Sequence, residues 1–334
     1  MDAPTGFTLT REGGGDVLTL GSGARFVLVP HDSTPPAGVA GTVVRVPVRR
    51  AVALSTTHLG FFERLGASGG LAGVAGARWI VSAGVRQGIE AGRIADVGDA
   101  AGGVNLEAVA AARPDVILTS AGDDALAGRL AVIGVPVIAL SEHREATPVA
   151  RAAWLRVVGA LTGTLARADT AVAGIAARYR ALSAEARQAM PRPTVVVGAP
   201  YRGVWHVPGG GTFTARLIAD AGGDYLWGGD TLRQALPRSL EEVVARAQTA
   251  DLWIDPGAWH RLADGAADEP RVALFAAFTR GRVWAPDARL SPGGGYAVHE
   301  TGVAEPDIVL ADLVCILHPP LRPGCRPSYY RRLE

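Results

Sequence analysis

The sequence predicts an α/β protein in which two α/β lobes of similar length flank one long helix, behind a small β appendage. Three observations carry this. Short apolar runs alternate with helix-period segments over residues 49–163 and again over 191–334, and strands alternating with helices imply parallel sheets. No proline falls between Pro148 and Pro191, and residues 164–190 keep apolar side chains at helical spacing. Residues 1–48 differ from both, with the alternating runs "FTLT", "DVLTL", "RFVLVP" and "TVVRVPV" broken by Gly and Pro, which reads as antiparallel β structure.

The elements follow in order. "RAVALS" (50–55) is a short buried strand, and "TTHLGFFERLGA" (56–67) a helix with Thr56 or Thr57 at its N-cap. "LAGVAGA" is a second strand. "NLEAVAAARPDVILTS" (105–120) gives helix, Pro, strand, and "DALAGRLAVIGVPVIAL" (124–140) gives helix, Gly, strand. "TPVARAAWLRVVGALTG" is one helix. Residues 164–190 form another, about 40 Å long at 1.5 Å per residue, which is more than a crossover needs. The pattern restarts with the strand "RPTVVVGAP" (192–200) and the helix "TFTARLIADAGG" (212–223). It continues with "SLEEVVARAQTADLWIDPG" (239–257) and "DEPRVALFAAFTRGRVWAPD" (268–287), each helix then strand, and a last helix at 304–319. The segments at 105 and 239 echo each other: cap, Leu-Glu, apolar helix, Asp, strand.

Composition narrows the function. The chain has 334 residues, 48% of them hydrophobic, enough for two cores. A net charge of +1, with every basic residue an Arg and the arginines spread evenly, gives no nucleic-acid footprint. No run of 18 apolar residues marks a membrane span. "MDAPTGFTLTREGGG" lacks the basic and apolar regions of a signal peptide, so the chain reads as cytoplasmic or as a mature exported protein with an added Met. Cys315 and Cys325 bracket a Pro-rich loop, either as a disulfide suited to an exported protein or as two thiols, and there is no CxxC or zinc-ligand spacing.

Several segments together resemble the helical-backbone substrate-binding proteins of ABC importers, which capture cobalamin, haem and iron–siderophore complexes. They are "RRAVALSTTHLGFFERLGASGGLAGVAGARWI" (49–80), "VGDAAGGVNLEAVAAARPDVIL" (97–118), "WHVPGGGTFTARLIADAGGDYLW" (205–227), "SLEEVVARAQTADLWIDPG" (239–257) and "HETGVAEPDIVLADLVCILHPPL" (299–321), in that order around the long helix. The resemblance implies two Rossmann-like lobes joined by a rigid helix, with a ligand cleft between them. It implies a monomeric binding protein of the periplasm or a cell-surface lipoprotein, with no catalytic residues and no cofactor beyond a ligand that itself carries Fe or Co. It implies as partners a metal chelate, a permease and its ATPase subunits. Docking on the permease through one acid per lobe falls on Glu107 and Glu241, with Glu242 the rival. A Glu in a first helical turn also complements the helix dipole.

In this family ligands meet loops at the C-terminal ends of strands, as in open α/β sheets generally. The candidates there are His58, Trp79, Arg86, Tyr201, Arg202, Trp205, Gly210, Trp227, Trp259 and Tyr296. Aromatic faces, Trp205 and Trp79 first, would cover a flat macrocycle or an aryl chelator. Arg202 and Arg86 would meet its anionic groups. His58, His206 and His260 are able to ligate axially, but without HxxxH or carboxylate–His clustering the expectation is hydrogen bonding or surface exposure, and no bare-metal site. "PGGGTFTARLI" invites the alternative of an α/β enzyme whose Gly209–Gly211 loop holds a nucleotide or phosphorylated substrate. The loop lacks the P-loop Lys and the GxGxxG spacing, and no GxSxG, HExxH or DFG element accompanies it. "SPGGGY" (291–296) reads as a second close-approach loop.

Overall fold

The computed structural model describes residues 3–99 and 103–334; the part of the 97–118 motif at 100–102, and the first two residues of the appendage, lie outside the described residues. Along the chain, strands β1 (Phe7–Glu12), β2 (Gly15–Leu20), β3 (Arg25–Pro30) and β4 (Thr42–Val46) lead to β5 (Ala51–Ala53), α1 (Thr56–Arg64), β6 (Leu71–Val74), α2 (Ala83–Glu90) and β7 (Ala95–Asp96). After the two short strands β8 (Gly98–Asp99) and β9 (Gly103–Val104) come α3 (Leu106–Ala111), β10 (Val116–Ser120), α4 (Asp124–Ala131), β11 (Val137–Leu140), α5 (Pro148–Ala152), α6 (Leu155–Thr162) and α7 (Leu165–Ala186). Next are β12 (Thr194–Val197), β13 (Pro200–Tyr201), β14 (Val204–Pro208), α8 (Phe213–Asp220), β15 (Asp224–Tyr225), β16 (Ala235–Ser239), α9 (Leu240–Ala247), β17 (Leu252–Ile254), α10 (Leu262–Asp268), α11 (Ala276–Thr279) and β18 (Val283–Ala285). Helices α12 (Ala297–Ala304) and α13 (Pro306–Leu317) and strand β19 (Arg331–Arg332) close the chain.

The chain divides into two compact units. Unit one comprises 1–145, 149–175 and 290–305; unit two comprises 146–148, 176–289 and 306–334. The boundary falls inside α7, whose 22 residues span about 33 Å.

Unit one holds a parallel sheet of order β11-β10-β5-β6-β7. Its central strands β5, β6 and β10 are buried on both faces, so they read as continuous apolar runs, and the period of two sorts their side chains. Ala51, Ala53, Val116 and Leu118 enter one core with Phe61, Phe62, Trp154 and Leu161, while Val52, Leu54 and Ile117 enter the other with Val109 and Leu130. The N-terminal strands are not a separate appendage. Phe7, Leu18, Phe26, Leu28 and Val44 belong to the first of these cores. Nor is their sheet wholly antiparallel, since β3 pairs β4 in parallel. The predicted single helix at 147–163 is two, α5 and α6, and the break falls at Trp154, whose buried indole is fixed edge-on to Phe7 and donates to Glu145 Oε1 at 3.0 Å.

Unit two carries the order β15-β12-β17-β18-β19, parallel except for β18–β19. An antiparallel sheet, β13-β14-β16, stands beside it in the chain where the sequence showed only a loop before a helix. The internal echo is physical. Asn105 caps α3 and Ser239 caps α9. The Asp before each following strand then binds the start of its neighbour: Asp115 Oδ2 accepts from the Arg49 and Arg50 amides at 2.8 and 2.9 Å, and Asp251 Oδ2 accepts from the Thr194 amide and hydroxyl at 2.9 Å each.

Two differences from the sequence expectation reroute the C-terminal third. Residues 290–305 belong to unit one, not to the second lobe. The cause is Glu300 of α12, whose buried carboxylate accepts from the Val81 and Ser82 amides at 2.7 and 2.8 Å, at the start of α2. In unit two, Cys315 and Cys325 form a disulfide, which ties α13 to the C-terminal segment. Asp312 fastens the same segment by accepting from the Ser328 and Tyr329 amides at 2.8 and 2.6 Å.

Candidate functional site

In unit one the loop after β6 and the 290–296 loop build an aromatic edge. Trp79 follows β6 and is 38% exposed, with the Arg78 guanidinium 4.2 Å from its ring centroid. The 290–296 loop lies directly against this backbone. Ser291 Oγ donates to Arg78 O at 2.8 Å, and a Cβ on Gly295 would collide with Trp79 O, so only glycine fits. The "SPGGGY" glycines thus permit close approach to the protein's own chain. Half-buried Tyr296 follows, edge-on to His299 at 5.9 Å, and Thr57 Oγ1 at the start of α1 donates to His299 O at 3.0 Å. Trp79 and Tyr296 are therefore brought to adjoining loops of one unit; the sequence had divided them between lobes.

Two predicted residues of this unit serve other purposes. Arg86 is half-buried and its Nη1 donates to Ile80 O, at 3.1 Å, and to Val81 O, bracing the loop behind Trp79. His58 is wholly buried, with Nε2 3.9 Å from Glu142 Oε2 in a pocket shared with the charge of Arg151. Burial pushes the imidazole below its usual pKa and outweighs the pull of Glu142, so His58 is a neutral interior residue.

In unit two the segment 200–208 is a hairpin whose turn is Arg202-Gly203, with φ of +52° and +80°. That pair of positive angles is the type I′ geometry that matches strand twist. It puts Tyr201 at the tip, 66% exposed, with the Arg202 guanidinium 5.2 Å from its ring. Alternation along β14 then decides the rest: Trp205 turns inward and His206 outward. Trp205 is fully buried, stacked on Trp253 at 5.1 Å and beside Phe275 at 5.7 Å, with Nε1 donating to Val197 O at 2.9 Å. Its proposed ligand-facing role is corrected by this burial. Trp227 and Trp259 are likewise buried, Trp227 under Arg246 and Trp259 against Trp253 with Nε1 donating to Asp268 at 3.1 Å.

The glycine run is also turned inward. The Gly209 amide donates to Gln234 O at 3.0 Å, Gly211 to Leu232 O at 2.9 Å, and Gly210 to the Asp230 carboxylate at 2.8 Å. A Cβ at any of the three would collide with the backbone of residues 227–234. Asp230 occupies the place an anionic ligand would take, and Thr212 Oγ1 caps α8. The loop is a backbone-packing device. Its three amides are all taken within the protein, so they cradle no phosphate, while half-buried Gly210 and Gly211 line an open cavity of unit two with Arg192, Arg216 and Arg233.

One pair escaped the sequence altogether. His260, after β17, has Nδ1 2.8 Å from Asp287 Oδ2, after β18, and Arg331 Nη2 donates to the same oxygen at 2.6 Å. These are the carboxylate–His contacts that local spacing did not show, because 27 residues separate the partners.

On the surface, Glu107 is exposed in the first turn of α3. Glu241 is 74% exposed and meets Arg271 at 2.9 Å. Glu242 is engaged in the Ser239 capping box, which leaves Glu241 as the outward-facing acid of its turn. Among the described residues no helix is long and apolar enough to cross a membrane.

Known proteins share this plan. An uncharacterized lipoprotein of Methanocaldococcus jannaschii is 23% identical over 92% of this chain and 76% of its own length. A periplasmic heme-binding protein of Pseudomonas aeruginosa superposes with a TM-score of 0.64 at 20% identity, covering 86% of this chain and 98% of that one. The vitamin B12-binding protein BtuF of Vibrio cholerae does so with a TM-score of 0.57 at 14% identity, covering 83% and 99%. At these identities the superpositions speak for the fold. The family model described as periplasmic binding protein matches residues 52–289. Such proteins hold their ligands as cargo, act outside the cytoplasm and are not enzymes. By that match, which takes in both α/β patterns and the helix joining them, this chain belongs to the periplasmic binding protein family.

Proposed function

We propose that the chain is the solute-binding component of an ABC importer for a metal chelate: an iron–siderophore, haem or a corrinoid. The observation that carries this reading recurs in both units. At strand C-terminal ends an accessible aromatic ring is paired with a guanidinium, Arg78 on Trp79 and Arg202 on Tyr201. A ring face covers a flat macrocycle or aryl chelator at low entropic cost, and the arginine meets its carboxylates or net charge. Tyr296 joins the first of these pairs. The heme and B12 neighbours support the ligand class. The disulfide suits an oxidising compartment, and the chain works as a monomer in the periplasm or anchored at the cell surface.

Delivery falls to Glu107 and Glu241, which meet arginines of the permease. Two separated charge contacts fix orientation more than they add affinity. Glu241 pairs with Arg271 at the surface, and such an exposed pair is readily exchanged for a new partner.

The test is a titration of the full chain with ferric haem, aquocobalamin and a ferric siderophore, read by thermal melting and Trp fluorescence. A ligand at a hundred times its Kd adds about 2.7 kcal/mol, or roughly 4 °C for a chain of this length. If none of the three moves the melting curve, the chelate reading fails. With the ligand in hand, replacing Glu107 and Glu241 together by Ala lowers reconstituted uptake about tenfold or more and leaves Kd within about twofold. Unchanged uptake would remove the docking assignment.

A further inference from the structure

Unit two carries a further cavity, at the end of its parallel strands away from Tyr201 and Arg202. Pro193, Asp251 and Arg282 line it, and each stands one residue before a strand: β12, β17 and β18. Those strands pair in parallel, so the cavity lies at the N-terminal end of the sheet. Ligands of open α/β sheets meet the opposite end. The cavity measures about 430 Å³, inside the range of roughly 300–1,000 Å³ usual for small-molecule sites. Met190, Pro191 and Pro193 form one wall. Leu317, Pro320 and Leu321 form another, and they belong to the loop that the Cys315–Cys325 disulfide closes. Prolines fix φ and the crosslink confines the loop, so these walls are built before any guest arrives. No aromatic ring lines the cavity. Met190 is 79% exposed, and its unbranched thioether adapts to a flexible aliphatic guest.

Three titratable side chains reach these walls, and they differ in what they have left to offer. His318 is buried with Nε2 3.3 Å from Gly222 O, and burial pushes its pKa down, so the ring is neutral. Asp251 is committed to Thr194, whose amide and hydroxyl both donate to its Oδ2 at 2.9 Å. Arg282 is half-buried, and among the described residues its guanidinium has no hydrogen-bond or ion-pair partner. A guanidinium drawn partly out of water beside apolar walls is stabilised by an anion, and a carboxylate matches its fork. The standing charge of Asp251 on the same wall disfavours a second negative charge, which selects a monoanion over a phosphate dianion.

We infer that this cavity is a second ligand site, for an aliphatic monocarboxylate such as a medium-chain fatty acid. The carboxylate pairs with the Arg282 guanidinium, and the alkyl chain lies between Met190 and Leu321. The inference does not rest on the chelate reading, since it uses other residues at the other end of the sheet.

The experiment is a calorimetric titration of the full chain with octanoate, decanoate, decanol and decyltrimethylammonium, each below its micellar range. Decanoate binds at one site, about tenfold more tightly than octanoate, as two further buried methylenes require. Decanol and decyltrimethylammonium bind about tenfold or more weakly than decanoate, for want of the charge that Arg282 selects. Arg282→Gln weakens decanoate about tenfold and leaves decanol unchanged, and Arg282→Lys recovers part of the loss. Leu321→Asp weakens both decanoate and decanol, which places the chain in this cavity. Tyr201→Ala leaves the decanoate Kd within about twofold, which separates the site from the cargo loops. Melting curves establish that each variant is folded. The inference is overturned if wild-type protein shows no saturable decanoate binding, or if decyltrimethylammonium binds as well as decanoate. It is also overturned if Arg282→Gln binds decanoate as wild type does, or if Tyr201→Ala abolishes that binding. Because wild-type protein alone decides the first two outcomes, a variant that fails to fold does not shield the inference.

Discussion

Glu145→Ala destabilises the protein by about 3–4 kcal/mol, a change seen as a lowered denaturation midpoint and a melting temperature lower by roughly 5 °C. The carboxylate is 4% exposed and closes a small nest. Its Oε1 accepts from the Gly6 amide at 3.0 Å and from the Trp154 indole at 3.0 Å, and its Oε2 accepts from the Thr5 amide at 3.0 Å and hydroxyl at 3.1 Å. Removing it strands the indole N–H in an interior where Trp154 has no exposure at all. It also frees the start of β1, whose Phe7 packs on that same indole. Glu145→Gln keeps one acceptor but turns an amide donor toward these donors, and it costs about half as much. Hydrogen exchange should quicken from Thr5 to Leu20 in both variants. A loss below about 1 kcal/mol for the Ala variant would show that the nest does not hold β1 to unit one.

Much of this architecture was legible because periodicity is a local signal. The runs 51–54, 116–118 and 195–197 are apolar throughout, as strands covered on both faces must be, and the long helix announced itself by spacing and by the absence of proline. The echo between 105–120 and 239–254 was visible for the same reason, down to the paired Asp115 and Asp251. What local pattern does not encode is partnership over distance. Helix α12 belongs to unit one because Glu300 meets amides more than two hundred positions earlier. The hairpin β13–β14 hid in a Gly-rich stretch because its partner β16 lies beyond an intervening helix.

The site followed the same rule. Trp79 and Tyr201, the exposed rings of the proposed site, each stand in a post-strand segment beside an Arg, and that is a local feature. The His260–Asp287 pair was missed because nothing near either residue marks the other. The glycine run misled in the opposite direction. Three glycines signal close approach of a backbone, and composition does not say whether the approaching atoms belong to a ligand or, as here, to residues 227–234.

Within "YRGVWHVPGGG" the two large aromatics therefore separate into opposite phenotypes. Trp205→Ala removes a ring with no exposure from between Trp253 and Phe275 and leaves Val197 O without its indole donor. Gly198 sits against the same ring, so the neighbouring backbone has little freedom to fill the space. The expected cost is about 3–5 kcal/mol, in line with other large-to-small core substitutions. Ligand affinity, measured at a temperature where the variant is still folded, stays within about threefold of wild type, because the ring faces the interior. Tyr201→Ala does the reverse. The side chain is 66% exposed at a hairpin tip, so stability moves by about 0.5 kcal/mol or less, while chelate affinity drops about tenfold with the loss of a stacking face and of the Arg202 orientation. Equilibrium unfolding and a binding titration on both variants decide the matter. A Trp205→Ala protein that keeps its stability and loses its ligand would put that indole on the binding surface after all, and the inward reading of β14 would have to be abandoned.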